Sequence, residues 1–218
     1  MSAYEQSPDQ KRAFEVMRQW PDPECSALVS WAVRDVESLH YLADLDSHVI
    51  EGRNALGHSL PTVDNAHPKW AATTAMSTVD RCAAALARAD RLPKRSNREY
   101  SIQEIERNPP KKRLLQEASS DWIDSVLHHR RYAQLKSVRD PIVHGRHARV
   151  VQLSTRDEWS TQRDIIRLEG SEPPEIEVGD VVVRARDFAT DHIESVLTLI
   201  ADGAINYAPA SDAPTDAE

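Results

Sequence analysis

Apolar positions recur with helical spacing along most of the chain. In "ECSALVSWAVRDVESLHYLADLDSHVI" the residues Cys25, Leu28, Val29, Ala32, Val33, Val36, Leu39 and Ala43, with Val49 or Ile50, trace one stripe. That spacing predicts a helix of about seven turns. A shorter helix is expected over residues 9 to 20, stopped by "WPDPE". "EGRNALGHSLPTVDNAH" holds two glycines and a proline and reads as a loop. Pro68 suits a first helical position, opening the alanine-rich helix "KWAATTAMSTVDRCAAALARADRL", whose small residues permit close helix contact.

Residues 93 to 110 are polar and basic and read as a linker, with a capping box at Ser101 and Glu104 before one helical turn that "NPP" ends. From Pro110 the stripe Leu115, Ala118, Trp122, Val126, Ala133, Leu135 and Val138 predicts a second long helix. The period then changes. "RVVQLS", "DIIRLE" and "EIEVGDVVVRA" are short and β-branched, which predicts a small antiparallel hairpin or sheet over about residues 149 to 185. Helical spacing returns at about 187 to 204, and residues 207 to 218 read as a disordered acidic tail. The expected fold is therefore mainly α: one domain over residues 1 to 206, an up-and-down helical bundle with the β element inserted before the last helix.

Composition narrows the class. A chain of 218 residues, 40% hydrophobic, buries a core without requiring two domains. Its two cysteines, Cys25 and Cys82, sit in apolar-periodic segments, which suggests core thiols rather than a disulfide framework or a thiolate zinc site. The first residues lack an apolar signal core and no long apolar run occurs, so a cytoplasmic protein without a membrane segment is expected. The net charge of −8 argues against a nucleic-acid partner only until its distribution is counted. Residues 93 to 149 hold 13 Lys/Arg against 7 Asp/Glu, so that segment is +6 and the remainder −14. Phosphate binding depends on the local charge, although a solvated helix face accounts for it as well.

Within that basic segment "LKSVRDPIVHGRHAR" places Pro141 near the end of a helix and flanks it with Arg139 and His144. The pattern arginine, four residues, histidine is expected about once by chance in this composition. It occurs twice, as "RDPIVH" and as "RNALGH" with Arg53 and His58. Context favours the first. Arg139 closes an amphipathic helix, Asp140 is a small acid, and Ile142 and Val143 are apolar anchors before His144 and Gly145. Five residues apart on an unbroken helix, Arg139 and His144 would diverge by about 140°. A kink or restart at Pro141, capped by Asp140, would bring them together.

This motif, on a helical bundle, resembles the HEPN family, small bundles whose signature is an arginine followed by a polar residue and, four to six residues on, a histidine. The resemblance covers about residues 24 to 147 and 187 to 205. It implies an endoribonuclease that needs no metal or other cofactor, acting where two copies meet in a homodimer, as a toxin or host-defence enzyme with room for an antitoxin or regulatory protein. By that resemblance Arg139 holds the phosphate, Asp140 orients a catalytic group, and His144 is general base or acid, releasing a 2′,3′-cyclic phosphate. Lys136, Tyr132 and His128 fall on about the same helix face as Arg139, and with Arg146 they are candidates for contacting RNA. The alternative is a non-catalytic HEPN-like module binding nucleic acid or protein. Glu37 and His40, in "ESLH", match half of a di-iron bundle site, but no second Glu-x-x-His occurs, so no metal is expected. The small-residue face of the alanine-rich helix is the expected dimer contact.

Overall fold

The computed structural model describes the backbone of residues 8–56, 61–93, 99–143, 150–153, 163–167 and 175–208, and most of their side chains. Helix α1, Pro8–Met17, opens on a proline whose missing N–H would be unpaired there in any case, and it buries Gln10, Ala13 and Met17 along one face. Helix α2, Pro23–Leu56, begins where the Asp22 carboxylate accepts the Glu24 N–H at 3.0 Å. Every stripe residue from Cys25 to Ala43 named above is buried. Helix α3, Pro61–Ala89, starts a full two turns earlier than expected. Pro61 supplies the preset φ of the opening turn, and Pro68 lies inside the helix at the cost of one backbone hydrogen bond. The loop expected between these helices is consequently helical on both sides, and only residues 57–60 fall outside the described set.

The linker is more ordered than its composition suggests. The capping box at Ser101 and Glu104 is present and opens α4, Ile102–Glu106. Asn108 caps α5, Pro109–Lys112, through its side chain. The long helix expected from Pro110 is instead α6, Glu117–His128, and α7, Arg130–Val143, separated at His129. The His129 ring Nδ1 accepts the Arg131 N–H at 3.2 Å and its carbonyl accepts the Tyr132 N–H at 2.9 Å, so the imidazole caps α7. Beyond the break Tyr132 and Gln134 are buried, whereas Ala133 is exposed.

The expected β insertion needs correction. Helix dominates the described residues and the bundle class fits, while the side chains of the strand residues lie outside those described. Residues 150–153, 163–167 and 175–177 form only short backbone ladders in the order β1 (Val150–Leu153), β2 (Arg163–Arg167) and β3 (Glu175–Glu177). The stretch "VGDVVVRA", expected as strand, is the start of α8, Val178–Ala201. Its Val181, Val182, Ala185, Phe188 and Ala189 are buried with a helical rather than a two-residue period, because helix-face burial overrides β-propensity. Among the described residues the fold is accordingly mainly α.

Two compact units divide the chain, 1–32 with 79–125 and 193–218, and 33–78 with 126–192. In the first, the residues Cys82 to Ala87 of α3 are buried on all sides. The small-residue face expected to join two copies is therefore consumed inside the chain. Arg88 bridges Asp22 and Glu99, at 2.9 and 2.8 Å. The chain end also docks: Tyr207 lies against Trp20, with ring centroids 6.2 Å apart, under the Arg91 guanidinium at 5.0 Å, and the Ala208 N–H donates to the Ala89 carbonyl at 2.8 Å. The described residues thus run to 208, two past the expected boundary at 206, and residues 209–218 of the expected tail lie outside the described set. In the second unit, α7 and α8 run antiparallel, joined by Arg131 to Asp187 and Asp191 at 3.8 Å each and by Arg184 to Gln134 at 3.3 Å. Among the described residues no helix is long and apolar enough to cross a membrane.

Candidate functional site

The last turns of α7 bring three of the sequence candidates together. Arg139 donates from Nε and Nη2 to Oδ1 of Asp140 at 3.1 and 2.8 Å. Lys136, one turn earlier, donates from Nζ to Oδ2 at 2.7 Å. Burial alone would raise the Asp140 carboxyl, but these hydrogen bonds and charges outweigh it and hold the group below the usual carboxylate range. Asp140 therefore stays ionised at neutral pH and is a partner for cations rather than a proton donor. Asp140 thus engages the Nε–Nη2 edge of the Arg139 guanidinium and fixes its orientation.

Asp140 does not cap a restarted helix. Helix α7 continues through Pro141 to Val143, because a proline this close to a helix end removes few backbone bonds. His144 and Arg146 lie outside the described residues. So does His58; Arg53 lies on α2, and nothing further is described of its side chain.

The expected nucleic-acid face is reshaped by the break at His129. Tyr132 is 5% exposed, with its ring centroid 6.4 Å from that of Phe188, so it belongs to the core and cannot stack on a base. His128 ends α6, on the other side of the break from Lys136 and Arg139. Lys136 remains at the site as the second cation on Asp140.

A cluster that sequence reasoning did not single out lies in the same unit. His129, Phe188 and His192 pack ring against ring, with centroids 4.6 to 5.4 Å apart. Burial first, and then the neighbouring His129, push the His192 imidazole down to about 4. The signal that could have found it is the helical period running back from Ile193 through Phe188 to Val181. His40 of α2 meets the Thr190 hydroxyl at 3.2 Å and Glu37 is exposed; among the described residues no three metal-binding side chains converge.

Compared with protein-family models, with curated proteins and with solved structures, the chain shows no match.

Proposed function

We propose that the end of α7 and the residues that follow it form a metal-independent RNA-cleaving site of HEPN type. The observation that carries this reading is the pairing of Arg139 with Asp140 in the last described turns of α7, five residues before His144 in the sequence. In the proposed step the ribose 2′-oxygen forms a bond to phosphorus as the bond from phosphorus to the 5′-oxygen breaks. His144 takes the 2′-hydroxyl proton, and the second copy's His144 gives a proton to the leaving oxygen. Arg139 holds the phosphate and offsets the charge growing on its non-bridging oxygens. Asp140 is a positioning residue that acts through Arg139. The products are a 2′,3′-cyclic phosphate and a 5′-hydroxyl. Such an enzyme fits a toxin or host-defence role in which a partner protein restrains it.

The test is incubation of RNA with the purified protein in excess chelator. His144→Ala should lose about 10²- to 10⁴-fold of the cleavage rate. Arg139→Lys should be severely impaired because the planar fork is lost, and His58→Ala should cut normally, with matched circular dichroism for all three. Loss in His58→Ala alone would move the site to the other motif and refute this reading.

A second reading, a non-catalytic module that binds nucleic acid or protein, draws support from the same ion cluster. Lys136, Asp140 and Arg139 together satisfy one another in a way that a helix end can use for stability alone. RNA binding without chelator-resistant cleavage would select it.

A further inference from the structure

We infer that the cleft holding the chain's own residues 206–208 is a peptide-docking site, which a partner protein fills by displacement with a non-helical segment carrying a tyrosine or phenylalanine. All of its residues lie in the first compact unit. The Gln116 carboxamide reads the main chain of Asn206 twice: Nε2 donates to the Asn206 carbonyl at 2.6 Å, and Oε1 accepts the Asn206 N–H at 3.3 Å. Two residues on, the Ala208 N–H donates to the Ala89 carbonyl at 2.8 Å. Between these bonds the Tyr207 ring lies against Trp20 and beneath the Arg91 guanidinium. The three hydrogen bonds all go to backbone groups of the docked segment, so the cleft selects an open stretch of chain with one aromatic ring rather than a particular sequence.

Two features belong to a binding cleft more than to a fold that ties down its last residues. Gln116 is fixed from behind: its backbone N–H donates to Oδ2 of the buried Asp90 at 3.1 Å, and its Nε2 donates to Oδ1. The amide that reads Asn206 is therefore held in place whether or not Asn206 is there. Arg91 is the second feature. After α3 the Arg91 and Leu92 N–H groups donate to the carbonyls of Arg88 and Ala87 at 3.0 and 2.8 Å, an ending that puts residue 91 at φ 54°, where glycine is favoured. Glycine would close this helix with less strain, whereas arginine places a cation 5.0 Å from the centre of the docked ring. Covalent attachment gives residues 206–208 an effective concentration on the order of millimolar, so a free segment displaces them only when abundant or when its carrier adds contacts.

The probe is the fluorescein-labelled peptide NYAPASD, residues 206–212 behind an N-terminal glycine, titrated into full-length protein. Tyr207→Gly in the protein removes the competing ring, so this variant should bind the peptide about tenfold more tightly than the wild type. Adding Arg91→Gly should weaken that binding about threefold without lowering the melting temperature, because the cation is lost from the peptide's ring while the left-handed backbone is relieved. An arginine serving the fold alone would leave the peptide's affinity unchanged. Matched circular dichroism checks each variant. In the unsubstituted protein, millimolar unlabelled peptide should move the Ala208 amide resonance as its bond to Ala89 is given up. Equal affinity of Tyr207→Gly and wild type, an Ala208 resonance that stays in place, or undiminished binding of a peptide carrying Tyr207→Gly would each overturn the inference. So would a wild-type dimer in sedimentation that Tyr207→Gly abolishes, since the occupant would then be a second copy of this chain.

Discussion

Replacing His192 by phenylalanine should flatten the acid side of the stability curve. His192 is 7% exposed on α8, packed against Phe188 and His129, and its imidazole is pushed from 6.5 down to about 4. In the unfolded chain the ring protonates as pH falls through about 6.5, while the folded state resists until about 4. The unfolded state thus binds more protons across that window, and stability falls as pH drops from 6.5 towards 4. A shift of this size amounts to about 3 kcal/mol when fully expressed, and about 2 kcal/mol of it is lost between pH 7.5 and pH 5. Phenylalanine keeps the edge-to-face ring contacts and removes the titration. Urea unfolding of both proteins at the two pH values measures the difference. The wild type should lose about 2 kcal/mol more than the variant on acidification; equal losses would refute the assignment of the acid sensitivity to this ring.

A chain ending at residue 205 should melt about 3 to 8 °C below one ending at 208, since it forfeits the Tyr207 contacts with Trp20 and Arg91 and the bonds between Asn206 and Gln116; equal melting temperatures would show that the docking contributes nothing. Ser101→Ala should cost about 1 kcal/mol in urea unfolding, and adding Glu104→Ala should cost less than the sum, because the two side chains satisfy one capping box. Cys25, whose thiol is pushed up to about 12 by burial and by the charge of Asp22, should resist iodoacetamide at pH 8 in the folded protein and react once urea unfolds it; rapid labelling without denaturant would count against that environment.

Where burial falls on one face of a continuous helix, the pattern of apolar residues was sufficient. The α2 stripe from Cys25 to Ala43 is buried throughout, and the Ser101 to Glu104 box forms because its two side chains answer local backbone donors. Misreadings came from tertiary context. A histidine caps α7 where no glycine or proline marks a stop, and beyond it Leu135 and Val138 are buried as the stripe predicts while Ala133 is exposed and Tyr132 and Gln134 are buried. The valines at 181 to 183 suit a strand by propensity, but two of them face the helical core with Phe188. Pro61 and Pro68 both suit a helix start, and α3 opens at the first of them. Of the candidate site, the adjacency of Arg139, Asp140 and Lys136 follows from helical spacing, whereas the burial of Tyr132 depends on Phe188 of α8, which is 56 residues away in sequence and unseen by local pattern.

The nucleophile is the most direct point at which to test the proposed RNA cleavage. Wild-type protein in excess chelator should cut an RNA and leave an otherwise identical 2′-O-methylated strand intact, with 2′,3′-cyclic phosphate on the 5′ fragment and a 5′-hydroxyl on the other. Equal cutting of both strands, or cutting that appears only when a divalent metal is restored, would contradict a 2′-hydroxyl attack organised by Arg139 and His144.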